Sequence, residues 1–437
     1  MTVVSPSSEL LPVPKSRAEI EAIQRRQKRA VVERVKRSAF WKGRLDHVNI
    51  DRLDDPEEWA KIPILHKDAL RALTTEQFYT DFMIAPKDSV CEYWRSGGAT
   101  GKPLFYARTF EDIRYCMVGF TRTYECTGTA AGNVAHLSFP LGIHPAGHMW
   151  ARAGREEGIG MVWAGSGAAT PSAVQLELLR TMRPTVWMGM SSYALHLANL
   201  ADASGIDLAA LPVERILCTA EPISAAKRAK IEREWGARLF DCFGMTECSM
   251  MGAESPYDEG FHIWTDLAFI EVLDPETWKP VPEGTPGTLV VTPLYTNHAT
   301  PFLRWNSGDI VVYRDRGENP GPYGVFPLIR HAHRTAGFFK VRGVNINHQE
   351  FEDFLFANPA VNDFKADAVA DARGIDGLHL SVELKRGADQ AAAVAAIVAD
   401  TKRVFELTPG VTIIPVGTLA KEFESSVKAP RFTDKRG

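Results

Sequence analysis

The chain has 437 residues, 45% of them hydrophobic, enough to bury a large core and beyond the length at which one core usually suffices. Its 50 basic and 54 acidic residues leave a net charge of −4 and no basic footprint for a polyanion, so nucleic acid is not an expected partner. No run reaches the roughly 18 apolar residues of a membrane helix, the opening MTVVSPSSELLPVPKS lacks a basic flank before an apolar stretch, and six cysteines contain no CxxC pair, so the expectation is a cytoplasmic protein without membrane or disulfide framework.

The first predicted element is a basic helix over 18–44. Ile20, Ile23, Ala30, Val31 and Val35 fall at helical spacing, so one face should dock on a core rather than serve as a nucleic-acid or membrane arm. From about 130 to 245 short apolar runs (133–139, 160–164, 185–190, 213–218, 238–242) alternate with helical stretches such as 172–182 and 224–235. That order predicts repeated βαβ units and a doubly covered, mostly parallel sheet. Open sheets of this kind bind ligands beyond their strand C-termini, where the segments 140–144, 165–170, 191–193, 219–222 and 243–247 should gather. After about 260 the pieces FIEVLDP, GTLVVTPL, FLRWN and DIVVY predict a small antiparallel barrel or sheet. Beyond Arg334 the order strand, helix from His348, two strands (364–369, 378–384), helix from Asp389 and strand 411–416 predicts a compact ferredoxin-like α+β domain.

Four segments carry chemistry. Ser96-Gly97-Gly98-Ala99-Thr100-Gly101-Lys102-Pro103 is a glycine-rich turn whose backbone N–H groups, hydroxyls and lysine suit phosphate, although it fails the Walker pattern and also reads as a plain hairpin. Pro103 discourages a helix, so 104–106 is expected to continue as a strand. Phe243-Gly244-Met245-Thr246-Glu247 follows a strand and offers a hydroxyl and a carboxylate for a phosphate oxygen and its Mg2+; a helix start capped by Thr246 is the competing reading. Arg304-Trp305-Asn306-Ser307-Gly308-Asp309, with Arg334 further on, suits ribose hydroxyls and phosphate, or a surface ion pair. The fourth is Ser425-Ser426-Val427-Lys428-Ala429-Pro430-Arg431-Phe432, whose lysine is otherwise a solvated one.

In their joint order these segments resemble the adenylate-forming superfamily of acyl-CoA synthetases, luciferase and peptide-synthetase adenylation domains, and within it the phenylacetate-CoA ligase branch. The resemblance runs from the N-terminal helix and Ile62-Pro63-Ile64-Leu65-His66-Lys67, through Ser192-Tyr193-Ala194-Leu195, to Arg342-Gly343-Val344-Asn345 and Arg431-Phe432-Thr433-Asp434. It implies an N-terminal domain over 1–334, a mobile C-terminal domain over 335–437, and ATP, Mg2+, coenzyme A and a carboxylic acid as ligands. It further implies that Ser96, Gly97, Gly98, Ala99, Thr100, Gly101 and Lys102 handle the β- and γ-phosphates, and that Ala220-Glu221-Pro222 with Asp241-Cys242-Phe243 frames adenine. Thr246 would contact the α-phosphate, Glu247 the Mg2+, Asp309 the ribose, and Arg334 ribose or phosphate. Lys428 matches the mobile lysine of adenylation, and Arg342-Gly343 the pantetheine passage. Members of the branch resemble homodimers, which leaves a homodimer open here.

The sequence departs from the family at the hinge, where Ala336 stands at a commonly acidic position, and at Val427, where a glycine usually precedes the lysine. The cysteine segments of zinc-binding relatives are absent, and Glu254-Ser255 stands where one cysteine is found. His331-Ala332-His333 and His144-Pro-Ala-Gly-His148 read as packing or hydrogen-bonding residues, and Pro145 and Gly147 argue against a regular helix at the latter. Phe139, His144, Trp163, Ser166, Met190 and Tyr193 are expected in or near the acid pocket. An arylacetate such as phenylacetate is favoured, a small 2-hydroxy acid like the substrate of 2-hydroxyisobutyryl-CoA ligases is the alternative, and a non-CoA acceptor or a silent nucleotide-binding scaffold are the remaining readings.

Overall fold

The computed structural model describes residues 5–95, 105–257, 260–315, 317, 319–334, 338–342, 344–370, 375–419, 421 and 431–436. These form two compact units: Met1–Asn133, Leu141–Met161 and Phe240–Thr335 in the first, and Val134–Pro140, Val162–Leu239 and Ala336–Gly437 in the second.

The first unit opens with the helix Arg17–Val35, started by Ser16, whose hydroxyl accepts from Glu19 N at 3.2 Å. Val31, Val32 and Val35 are fully buried on its inner face, each contributing roughly 1.5–3 kcal/mol, while Arg25, Arg26 and Arg29 are exposed. The helix is shorter than expected, because the chain turns after Lys36 into a 3-10 segment, Ala39–Trp41, that buries Phe40 and Trp41. Most of the unit is an antiparallel sheet in the order Ala268–Leu273, Pro286–Pro293, Trp305–Arg314, Leu328–Arg334, Phe261–Ile263, Ser249–Ala253, ending on the C-terminal half of Arg238–Met245. The last two residues of the expected piece FLRWN and all of DIVVY lie in one strand that begins at Trp305. Arg304, at φ 45°, stands before it.

The helix Phe110–Cys126 lies against Ser249–Ala253, and Gly119 makes the approach possible, since a Cβ there would overlap the Met250 carbonyl oxygen. The helix Pro145–Glu156 corrects the expectation for His144-Pro-Ala-Gly-His148. Pro145 occupies the first turn, where its missing N–H costs nothing, and His144 is the cap position.

The second unit contains parallel strands Val134–Leu137, Val186–Gly189 and Arg215–Cys218, as the apolar runs predict. Helices Ser172–Met182, Ser191–Ala203 and Ala225–Trp235 accompany them. Trp187 and Trp235 are fully buried with ring centroids 5.2 Å apart, and Trp235 Nε1 donates to Ala194 O at 3.0 Å, which ties the last helix to the middle one.

The C-terminal part of this unit is α+β: a sheet in the order Gly410–Ile414, Asp376–Leu384, Val361–Ala370, Phe432–Asp434, with helices His348–Phe356 and Gln390–Phe405. Its first strands form a separate hairpin, Phe338–Val341 with Val344–Asn347, and Phe432–Asp434 takes the sheet edge instead. Phe351, Phe364, Phe405 and Phe432 fill the space beneath the sheet. Among the described residues no helix is long and apolar enough to cross a membrane.

Candidate active site

In the first unit Val90–Arg95 and Phe105–Thr109 run antiparallel with Arg95 opposite Phe105, and the chain between them carries the glycine-rich segment. Ser96, Gly97, Gly98, Ala99, Thr100, Gly101 and Lys102 lie outside the described residues. The strand that leaves the segment is described, and its two-residue period puts Tyr106 and Arg108 on one face.

That face holds the Thr246–Glu247 turn. Tyr106 Oη donates to Glu247 Oε1 at 3.0 Å. Arg108 Nη2 donates to the carbonyls of Thr246 at 2.5 Å and Glu247 at 2.8 Å, and Nη1 donates to Thr296 O at 2.6 Å. The Arg108 guanidinium is fully buried and lies 4.8 Å from the centre of the Trp94 ring. A buried cation needs acceptors, and here three main-chain carbonyls accept from its two Nη nitrogens and are fixed by them.

Neither Tyr106 nor Arg108 was singled out by sequence. The available signal was a charged residue in the middle of a buried strand, FYART. The turn itself joins Arg238–Met245 to Ser249–Ala253, with Met245 opposite Ser249 and Cys248 N bonded to Met245 O at 3.1 Å, so Thr246 caps no helix. Glu247 is buried and Thr246 half-buried.

Asp309 stands in the strand Trp305–Arg314 and is buried. The glycine before it forms a bulge: Thr288 faces Ile310 while Val290 faces Asn306, and Gly308 takes φ +78° with open space where a Cβ would sit. Ser307 Oγ donates to Leu289 O at 2.8 Å and accepts from Asp309 N at 3.0 Å, holding the bulge. Across the antiparallel pair the position opposite Asp309 is Arg334, so two residues distant in sequence share one register.

Asp241 N donates to Glu254 Oε2 at 2.8 Å, and Phe243 meets His331 edge-on at 5.0 Å and Phe261 at 5.5 Å, so the His331 ring packs on Phe243. Cys242 is buried. Burial pushes the Cys116 thiol up to about 12 and Cys248 well above its usual range, so neither neighbour of the turn is a nucleophile.

In the second unit the loop after Arg215–Cys218 carries Ala220 at φ +74°, a conformation alanine rarely adopts, followed by Glu221 and Pro222. Glu221 Oε2 accepts from Ser192 N at 2.9 Å and Ser191 Oγ at 3.1 Å, and Oε1 from Ser192 Oγ at 2.7 Å. The carboxylate thus caps the start of the helix Ser191–Ala203, an arrangement favoured by the helix dipole.

Phe139, Met190 and Tyr193 are buried, Ser166 is half-buried and Trp163 is 57% exposed. Tyr193 Oη and Ser172 Oγ are 2.9 Å apart, and His196 Nε2 reaches the same hydroxyl at 3.0 Å. His136, Ser138 and Gln175 form a second buried polar chain, with Gln175 Oε1 3.1 Å from His136 Nε2 and accepting from Ser138 Oγ at 2.8 Å. His144, in the first unit, is half-buried, and His148 Nε2 reaches Gly142 O at 2.9 Å.

Arg342, at φ 49°, occupies the turn between Phe338–Val341 and Val344–Asn347, where its Nε donates to Asp376 O at 2.7 Å. Gly343 and Lys428 lie outside the described residues. Among the described residues no three His, Cys, Asp or Glu side chains converge as a metal site.

A family model described as "AMP-binding enzyme" matches residues 20–293. The chain is 30% identical over 387 residues to the phenylacetate-coenzyme A ligase of Thermus thermophilus, covering 87% of this chain and 84% of that one. It is 26% identical over 346 residues to the phenylacetate-coenzyme A ligase of Escherichia coli, covering 77% and 76%. Among solved structures, 2-hydroxyisobutyryl-CoA ligase in complex with 2-HIB-AMP superposes with a TM-score of 0.83 at 22% identity, over 97% of this chain and 91% of that one. The chain therefore belongs to the adenylate-forming AMP-binding enzymes, on their phenylacetate-CoA ligase-like branch, and is an AMP-forming carboxylate–CoA ligase.

Proposed function

We propose that the chain activates an arylacetate of the phenylacetate type. The carboxylate oxygen attacks the α-phosphorus of ATP and pyrophosphate leaves; the thiol of coenzyme A then attacks the acyl carbon of the acyl-adenylate and AMP leaves. The observation that supports this best is the clamp of Tyr106 and Arg108 on the Thr246–Glu247 turn. It ties the strand leaving the glycine-rich segment to the residues assigned to the α-phosphate and the metal.

In this reading Ser96 to Lys102 bind the β- and γ-phosphates, and Ala220, Glu221, Pro222, Asp241, Cys242 and Phe243 surround adenine. Asp309 binds the ribose, Arg334 the ribose or a phosphate, and Lys428 offsets charge on the equatorial oxygens during adenylation. Glu247 fits Mg2+ by its chemistry, being a buried carboxylate oriented by a phenol, and a metal that arrives with ATP needs only one or two protein carboxylates. Bound there, Mg2+ supplies charge neutralisation on the triphosphate. Residues 335–437 act as the mobile domain, presenting Lys428 for the first step and Arg342 with Gly343 for the second. The setting this reading implies is the cytoplasm, with a homodimer left open.

The pocket assignment rests on Phe139, Met190 and Tyr193, whose apolar bodies suit an aromatic ring, and takes His144, Trp163 and Ser166 from the sequence. The chain Tyr193–Ser172–His196 favours a second reading, a small 2-hydroxy acid whose hydroxyl joins that set. A substrate lacking the hydroxyl would then lose roughly 1–3 kcal/mol of binding. A panel of acids assayed for AMP release with coenzyme A present decides between them: phenylacetate turning over above all 2-hydroxy acids supports the first reading, and the reverse order overturns it. AMP release that needs another acceptor would point away from coenzyme A.

A further inference from the structure

A line of alternating charges in the second unit joins the Glu221 loop to the C-terminal strand. Lys227 Nζ stands 3.9 Å from Glu221 Oε2 and 3.5 Å from Glu352 Oε1. Arg431 Nη1 donates to Glu352 Oε1 at 3.2 Å, and Nη2 donates to Asp363 Oδ1 at 2.8 Å. One turn further along the same helix, Lys230 Nζ donates to Asn362 O and to Val361 O at 3.3 Å. Lys227, Lys230, Glu352 and Asp363 are all buried, and the Arg431 side chain is 11% exposed. The acids Glu221, Glu352 and Asp363 balance the bases Lys227, Lys230 and Arg431.

Buried ion pairs are poor glue, because desolvation cancels most of their attraction, and an apolar face would dock a helix as well. What they impose is register: a shift that separates one pair leaves a buried charge uncompensated. The register set here is that of the chain at Arg431, whose carbonyl also accepts from Ala366 N at 2.8 Å. Arg431 is three residues beyond Lys428. At the other end Glu221 belongs to the segment assigned to the nucleotide and is itself held by Ser191 and Ser192.

We propose that Lys227 and Glu352 are positioning residues for adenylation, relaying the place of the Glu221 loop to Arg431, three residues along the chain from the lysine assigned to that step. The proposal rests on the assignment of Lys428 to the first half-reaction. Neither residue touches a reacting atom, and the second half-reaction does not use Lys428, so the two steps should respond differently.

The test measures two activities of the full chain: acid-dependent exchange of pyrophosphate into ATP, and thioester formation from supplied acyl-adenylate and coenzyme A. Lys227→Met and Glu352→Gln should each lower exchange about tenfold while thioester formation stays within about twofold, and Lys227→Arg should recover most of the exchange. Equal losses in both steps that follow a lowered Tm would overturn the proposal, as would unchanged exchange in both variants. Glu352→Gln keeps the side-chain volume and serves as the readout if Lys227→Met does not fold. Absence of exchange in the unmodified chain with every acid would instead count against the adenylation reading itself, and exchange in Lys428→Ala at the unmodified rate would count against the lysine assignment.

Discussion

Tyr106 and Glu247 are separated by 141 positions in the chain, yet the phenol donates to the carboxylate at 3.0 Å. The same strand sends Arg108 to the carbonyls on either side of that carboxylate's Cα, so the turn is fixed at both backbone and side chain. Tyr106→Phe removes the side-chain restraint and leaves Arg108 in place. Partners that orient a metal ligand are typically worth 10- to 100-fold, so adenylation at limiting Mg2+ should fall by about tenfold and recover partly at high Mg2+. Pyrophosphate exchange titrated against Mg2+ checks this; an unchanged Mg2+ dependence would remove Glu247 from the metal assignment.

Lys428→Ala should separate the two half-reactions. Charge builds on the equatorial phosphate oxygens only while the acid attacks, and a cation aimed there is worth on the order of a hundredfold in rate. Exchange should drop by that order while thioester formation from supplied acyl-adenylate changes little. Losses of equal size in the two assays would mean that the lysine has no role peculiar to adenylation.

How far the sequence carried depends on the range of the interaction involved. The helix expected at 172–182 is Ser172–Met182, and that expected at 224–235 is Ala225–Trp235 behind its Ser224 cap, because periodicity and capping are local. Pro145 misled for a related reason: a proline breaks a helix from within but starts one from its first turn, and the next residues alone do not say which applies. Gly308 reads from sequence only as part of the segment ending at Asp309, and whether its positive φ makes a turn or a bulge depends on the neighbouring strand Pro286–Pro293. In the site, motif order located Glu247 and Asp309. Their restraints come from Tyr106, Arg108 and Ser307, ordinary residues locally, whose roles arise only when distant strands meet.

Arg122 and Asp266 form a buried pair with Nη1 and Nη2 each donating to a carboxylate oxygen at 2.8 Å, at 2% and 3% side-chain exposure. Arg122 also donates to Leu11 O at 3.1 Å and so anchors the chain ahead of the first long helix. Asp266→Asn leaves a buried cation without its counter-charge and should cost roughly 3–5 kcal/mol. Arg122→Met combined with Asp266→Leu should recover part of that loss, since no charge is left unpaired. Denaturant unfolding of the three proteins measures it, and a loss under about 1 kcal/mol for Asp266→Asn would show that solvent reaches the pair.

His136 is fully enclosed, and burial lowers its pKa from 6.5 to about 4, against a smaller opposing contribution from the Gln175 hydrogen bond. The unfolded chain therefore binds a proton that the folded chain refuses between these values. The stability tied to the neutral ring is complete above pH 6.5 and is lost as pH falls toward 4, by something on the order of 3 kcal/mol. His348 is lowered to about 4 by burial as well, so the whole protein should weaken over the same window for more than one reason. Comparison with His136→Gln isolates the one group, because His348 is common to both proteins. The difference in unfolding free energy between the unmodified chain and the variant should shrink steadily from pH 7 to pH 4.5. A constant difference across that range would mean that the ring is already charged, or already solvated, in the folded state.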